Sequence, residues 1–215
     1  MRGFMWRRGA AAMALTACSA SALACTNART LSADTLKTQI GLLSQGQISQ
    51  AWACTDKAGE HWVVASKQPL GDHEHKVQLL FAQFTRTASG WKKNWQARDF
   101  LPAQTRAAST EMIVIKDTDG DGLAEVFLAY ALTGQSAAQG EGKLLVYYKD
   151  KKYAIRGAIA QTANDFGSRK IEPDFLTLPQ PVQHQALQLW DKLSAPASAS
   201  KTATSNPVFL PTTSR

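Results

Sequence analysis

The sequence has no cluster of basic residues of the kind that binds nucleic acid. Its 24 Lys and Arg residues outnumber its 17 Asp and Glu residues, and the formal net charge is +7. Arg2, Arg7 and Arg8 fall in a stretch without acids, so the remainder of the chain carries 7 − 3 = +4. The basic residues are scattered and are not interleaved with aromatic residues, so we expect no nucleic-acid partner.

Long apolar runs are also absent beyond the N-terminal segment, so we expect no transmembrane span. Residues 1–8 are basic and 9–15 are apolar, which is typical of an export signal. Two cleavage sites remain open: a lipobox ending at Cys18, which would be acylated, and the Ala-x-Ala site at 22–24, which defines 1–24 as the signal. We expect a periplasmic protein, either soluble or anchored to the outer membrane as a lipoprotein.

Cysteine is scarce, with three residues in the chain. If Cys18 is acylated or removed, Cys25 and Cys54 remain as an even pair in an oxidising compartment, and we expect a disulfide between them. Lipidation of Cys25, the alternative at a looser lipobox, would leave Cys54 unpaired.

Catalytic motifs are missing as well. The four histidines include one close pair, His73 and His75, which would share a face on a strand but have no evident third zinc ligand. There is no Gly-x-Ser-x-Gly motif, and sequence alone pairs no two carboxylates across a cleft. We therefore assign no catalytic residue and expect a non-enzymatic role, with a hydrolase acting on envelope polymer kept as an alternative.

What the chain does contain is one dense group of acids between two apolar runs, 112–115 and 126–132. Like charges within nine residues repel one another, and a hard cation offsets that repulsion; Ca2+ suits flexible cages of oxygen atoms. Gly120 and Gly122 allow the positive φ angles that a tight loop requires. An Asp- and Gly-rich turn without an ion is the alternative. The acids are Asp117, Asp119, Asp121 and Glu125.

The loop differs from an EF-hand, because the twelfth residue from Asp117 is Leu128 and not Glu. Its flanks are β-branched and aromatic, which favours strands. It resembles the Asp-x-Asp-x-Asp-Gly-x-x-Asp/Glu loops of FG-GAP repeats. That resemblance implies a structural Ca2+ site with a backbone carbonyl ligand from Leu123 and side-chain ligands from Asp117, Asp119, Asp121 and Glu125.

The rest of the pattern predicts successive hairpins between two helices. Helical spacing marks 33–44 and a segment that opens at Pro181, and the tail 194–215 has the composition of a disordered segment. We predict a mainly β (α+β) fold over a single domain, 25–193. The strands would form an antiparallel meander, either propeller-blade-like or a single curved sheet, with a short N-terminal helix and a C-terminal helix.

A wider resemblance covers about residues 75–193. Its anchors are Phe81-x-x-Phe84, Trp95 with Asp99-Phe100, the acidic loop, Leu144-Leu-Val-Tyr-Tyr, Tyr153-Ala-Ile-Arg-Gly157 and Leu187-x-x-Trp190. In this order they resemble a small family of exported bacterial proteins labelled surface polysaccharide biosynthesis proteins. The resemblance implies a cell-envelope role, with a glycan or protein of the envelope as partner. The alternative is a periplasmic inhibitor or immunity protein against a cell-wall-degrading enzyme.

Overall fold

The computed structural model describes residue 25 and residues 29–41, 45–69, 77–101, 112–132, 140–160 and 167–195. The strands are β1 (Arg29–Thr30), β2 (Gln47–Asp56), β3 (Gly59–Pro69), β4 (Val77–Thr87), β5 (Gly90–Leu101), β6 (Met112–Lys116), β7 (Glu125–Leu132), β8 (Gly140–Tyr148), β9 (Lys151–Ile159) and β10 (Lys170–Ile171). The helices are α1 (Ala33–Ile40), a 3-10 helix (Pro173–Thr177) and α2 (Gln180–Ser194).

The ten strands form two antiparallel meanders. The first sheet has the order β1-β2-β3-β4-β5, and the second has the order β10-β9-β8-β7-β6. Within each sheet, every strand pairs with the strand next to it in the chain, as expected for a meander, and β5 and β6 do not pair. The predicted mainly β class, with an antiparallel meander and a helix at each end, is confirmed. The sequence left two arrangements possible, propeller-like blades or a single curved sheet. The structure has two five-stranded sheets.

Strand β7 shows why the second sheet needs cover on both faces. All eight of its residues are buried. Phe127 and Ala129 pack in a core that includes α2, whereas Val126 and Leu128 pack in a core between the two sheets. Neighbouring side chains on a strand point to opposite faces, so an uninterrupted apolar run such as 126–132 is typical of a strand covered on both sides.

The two helices cover the outer faces of the sheets. Leu36 and Ile40 of α1 pack against the first sheet, and the Ser32 hydroxyl caps the first turn by accepting from the backbone N–H of Thr35. The helix predicted over 33–44 is present, and it spans Ala33–Ile40. The C-terminal helix opens near Pro181 as predicted, and the apolar stripe on it is buried against the second sheet. The stripe consists of Val182, Ala186, Leu189, Trp190 and Leu193.

The order of layers is therefore α1, first sheet, second sheet, α2. Cys25 and Cys54 lie at disulfide distance, with their Cα atoms 5.1 Å apart, so the expected pair is brought together. None of the helices in the described part of the chain has the length and apolar character that crossing a membrane requires. The predictions for Cys18, for 1–24, for His73 and His75 and for the tail from 196 onward lie outside the described residues.

Candidate metal site and the cleft beside it

The acidic loop joins β6 to β7 as a hairpin, and Lys116 pairs with Glu125 at its base. The predicted strand–loop–strand setting is thus what the structure has, and no helix flanks the loop. Gly120 and Gly122 have φ angles of +78° and +87°, in the left-handed region that glycine enters without strain. The backbone can therefore curl until alternate side chains converge.

The four acids of the loop come together in space. One ligand atom from each lies within 4.8 Å of all the others. Two oxygens bound to one Ca2+ at about 2.3–2.6 Å can be no more than about 5 Å apart, so this spacing fits a single ion. Asp117 is 8 % exposed and Glu125 is 2 % exposed, whereas Asp119 and Asp121 are half-buried. The cluster could bind a metal ion, and its all-oxygen donor set suits a hard cation.

Backbone N–H groups hold the carboxylates in this arrangement. Asp117 accepts from the N–H of Gly120 at 2.7 Å and from the N–H of Gly122 at 2.9 Å, one on each oxygen. Asp119 accepts from the N–H of Asp121 at 3.2 Å. A carboxylate has about four lone-pair sites, so these bonds orient the groups and still leave acceptor capacity for a cation.

Two side chains from the β8–β9 hairpin reach the same cluster. The Tyr148 hydroxyl donates to Asp119 at 3.0 Å, and the Lys149 ammonium lies 2.9 Å from Asp121. Desolvation alone would raise the pKa of Asp121, but the bond from Lys149 helps to bring that pKa below its ordinary value. The protein itself thus offsets part of the negative charge.

Glu125 is the most buried of the four. Desolvation, together with the charges of Asp119 and Asp117, raises the pKa of Glu125 to about 7, even though its carboxylate accepts a 2.6 Å bond from the N–H of Thr118. A buried carboxylate beside other carboxylates is unfavourable without a compensating positive charge.

Leu123 lies in the same loop, where its N–H donates to Asp121 at 2.9 Å. The expectation that its carbonyl binds the ion stays a prediction. Its neighbours tie the loop to the first sheet instead: the carbonyl of Gly122 accepts from Lys57 N–H at 2.9 Å, and the N–H of Ala124 donates to Asp56 at 3.0 Å. The loop therefore fastens the β2–β3 turn to the second sheet.

Beside this junction the two sheets enclose a cleft of about 510 Å3. We call it the inter-sheet cleft. The first sheet contributes mainly polar side chains, and the second contributes Tyr147, the loop end at 123–126 and the turn Lys149-Asp150. The polar residues from the first sheet are Asp56, His61, Gln83, Thr85, Lys92 and Asn94.

A chain of hydrogen bonds crosses the floor of the cleft. Asp56 accepts from His61 Nε2 at 2.9 Å, and His61 Nδ1 lies 2.8 Å from the Thr85 hydroxyl. With a neutral imidazole, the Thr85 hydroxyl donates to Nδ1 and itself accepts from the Asn94 amide. Desolvation acts to raise the pKa of Asp56, but the bonds from His61 and from the Ala124 N–H bring it below its ordinary value.

Sequence reasoning missed this cleft, because its walls come from residues far apart in the chain. Asp56 and Ala124 are 68 positions apart, and no local pattern links them. One signal was available: the apolar alternation of β3 and β4 is interrupted by His61, Gln83 and Thr85 at positions that would otherwise continue the buried face.

Comparison of the chain with protein-family models, curated proteins and solved structures found no match.

Proposed function

We propose that this chain is an exported protein of the bacterial cell envelope in which a structural Ca2+ ion closes the acidic loop. The role is binding or accessory, with a glycan or protein of the envelope as partner, in keeping with the resemblance to surface polysaccharide biosynthesis proteins. The observation that carries the metal proposal is the convergence of four carboxylate oxygens within 4.8 Å at the end of a β-hairpin.

The donor chemistry favours Ca2+ over other common ions. The loop offers carboxylates and backbone carbonyls, without the histidine or cysteine that zinc and most transition metals prefer. Mg2+ demands near-octahedral geometry and keeps several waters, whereas Ca2+ accepts irregular cages of six to eight oxygens. Asp117, Asp119, Asp121 and Glu125 would bind through side chains, and Leu123 through its carbonyl.

The ion would act on structure and not on a substrate. Every ligand comes from one short loop, and that loop is bonded through Gly122 and Ala124 to the β2–β3 turn of the first sheet. Neutralising the loop would therefore strengthen the junction between the two sheets. A disulfide between Cys25 and Cys54 would in the same way tether the N-terminal end of the exported protein to β2, which fits an oxidising compartment.

A thermal melt of the full chain tests the metal proposal. We expect added Ca2+ to raise the melting temperature of the wild type over that in chelator, because an ion that binds only the folded state stabilises it. Asp119→Ala should lower the melting temperature in Ca2+ and remove its dependence on Ca2+. Asp191→Ala is the matched control, since it removes a carboxylate that is 72 % exposed on α2. A wild-type melt that is the same with Ca2+ and with chelator would contradict the proposal.

A further inference from the structure

The inner face of the first sheet changes character along its length. Near the middle of β3 and β4, the side chains that point to the second sheet are apolar, such as Val63 and Phe81. Toward the end of the sheet where β3 begins and β4 ends, the same face carries His61, two positions before Val63, and Gln83 and Thr85, two and four positions after Phe81. A sandwich interior continues apolar where its only task is packing. Polar residues at inward positions line the inter-sheet cleft instead.

A β-bulge adds one more polar group to this lining. Gln83 pairs with Trp95 and Phe84 pairs with Lys93, so Asn94 is an extra residue in β5. Neighbouring side chains of a regular strand point to opposite faces, but Asn94 and Trp95 both line the cleft. Bulges interrupt the ladder and are frequent next to active sites, where they re-aim a side chain.

On the side of the cleft formed by the second sheet, a turn has backbone φ angles that are uncommon for residues other than glycine. Lys149 and Asp150 form the two-residue turn between β8 and β9, with φ angles of +47° and +62°. Such a turn usually takes Asn-Gly, because a side chain in the left-handed region is strained. Both residues line the cleft. Strained positions of this kind cluster at ligand sites.

We propose that the inter-sheet cleft binds an uncharged sugar ring of an envelope glycan. This inference deepens the proposed envelope function and rests on it for the source of the glycan. The volume of the inter-sheet cleft, about 510 Å3, lies within the range of about 300–1,000 Å3 typical of small-molecule sites, so the cleft has room for a mono- or disaccharide.

The chemistry of the walls matches that ligand. Trp95 lines the cleft and is half-buried. One face of its indole stacks on Tyr147, with ring centroids 3.6 Å apart and planes within 6°, which holds the ring in place. A pyranose ring has an apolar C–H face that packs on such a surface. Asn94 donates from its amide nitrogen to Thr85 and, at 3.5 Å, to Gln83.

That arrangement leaves an acceptor beside a donor. Within the described parts of the chain, nothing bonds to the Asn94 carbonyl oxygen or to the Gln83 amide nitrogen. A sugar hydroxyl donates one hydrogen bond and accepts others, so it can satisfy both groups at once.

The charges around the cleft favour a neutral ligand over an ionic one. The Asp56 carboxylate is engaged by His61 and by two backbone N–H groups, those of Ala58 and Ala124. The Lys149 ammonium is paired with Asp121. Glu125 also lines the cleft, but its carboxylate is 2 % exposed and accepts from the Thr118 N–H within the acidic loop. The other charges in the lining, on Lys92 and Asp150, are of opposite sign and exposed. Neutral amides and a hydroxyl are thus the groups offered to a ligand.

Ligand-observed saturation-transfer NMR on the purified full chain tests the inference. The probes are glucose, galactose, mannose and N-acetylglucosamine at millimolar concentrations, with glucuronate as the anionic arm. We expect saturable binding of at least one neutral probe, and Gln83→Ala should weaken it about tenfold, the typical effect of losing one hydrogen bond to the ligand. Gln96→Ala is the control: Gln96 is also half-buried on the same sheet, but it pairs with Ala82, whose side chain packs on the α1 side.

The same samples are melted with Ca2+ and with chelator, so that the two proposals fail separately. Three results would each overturn the sugar site, even if Ca2+ still raises the melting temperature. They are no saturable binding of any neutral probe, equal binding by wild type and Gln83→Ala, and tighter binding of glucuronate than of glucose. Sugar binding that Gln83→Ala weakens, in a protein indifferent to Ca2+, would support the site and contradict the metal.

Discussion

Glu125 carries the largest electrostatic penalty in the acidic loop, because it is 2 % exposed and lies among other carboxylates. Glu125→Gln keeps the shape and the acceptor for Thr118 but removes the charge. In chelator we expect this variant to be more stable than wild type by about 1–3 kcal/mol, the order of the penalty for a poorly compensated buried polar group. In Ca2+ the order should reverse, because the variant has lost a charged ligand.

Urea denaturation in the two buffers measures this crossover. Glu172→Gln, at a site 39 % exposed beside Arg156, is the matched control and should behave alike in both. If Glu125→Gln lowers the free energy of unfolding by the same amount in chelator and in Ca2+, Glu125 has a packing role and the loop holds no ion.

The carboxylate of Asp99 should make the stability of the protein depend on pH in the acidic range. Burial acts to raise the pKa of Asp99, but the Lys143 ammonium at 2.7 Å and the Tyr130 hydroxyl at 2.8 Å outweigh it, so that pKa lies below its ordinary value of 3.8. A lowered pKa in the folded state means that the unfolded chain binds the proton more readily. The stabilisation is therefore complete above about pH 4 and is lost as the pH falls through the folded-state pKa.

Asp99→Asn should accordingly lower the free energy of unfolding at neutral pH by about 2–4 kcal/mol, because it leaves Lys143, 14 % exposed, without its closest partner. It should also flatten the fall in stability below pH 4. Glu141→Gln removes the other, 55 % exposed partner of Lys143 and should change stability by less than about 0.5 kcal/mol. Parallel pH profiles for wild type and Asp99→Asn would show that Asp99 is not the group responsible.

At the scale of the element, the β6–β7 hairpin depends on a backbone that only certain residues adopt. Gly120 has a φ of +78°, and a Cβ placed there would meet no other atom, so any cost of substitution comes from the backbone and not from a clash. Gly120→Ala should cost about 1–2 kcal/mol, whereas Gly120→Asn should cost less, since Asn tolerates the left-handed region. Thermal melts in chelator would measure both; equal melting temperatures for Gly120→Ala and wild type would contradict the assignment.

The elements themselves were largely predictable, and for local reasons. Acids spaced by two, flanked by β-branched runs, specify a strand–loop–strand unit within one stretch of chain, and the stripe from Val182 to Leu193 specifies the buried face of α2. The 3-10 helix at Pro173–Thr177 and the short strand Lys170–Ile171 were not predicted, because two to five residues are too few to show a period.

At the scale of the whole molecule, the sequence could not show how the hairpins divide. Each strand pairs with its neighbour, but β5 and β6 lie in different sheets, and that break depends on packing between faces and not on any local pattern. The contacts that join the sheets at the acidic loop have the same origin, as in the bond from Ala124 to Asp56. The cleft exists only because of that packing, so the sugar that we propose as its ligand could be inferred only from the three-dimensional arrangement.

We propose that the acidic loop holds one Ca2+ ion, which fastens the two sheets together. Isothermal titration calorimetry of the metal-free full chain with CaCl2 measures it directly. We predict a saturable isotherm with one ion bound per chain, abolished in Asp119→Ala and retained in Asp191→Ala. An isotherm that shows no saturable binding, or one that Asp119→Ala leaves unchanged, would contradict the claim.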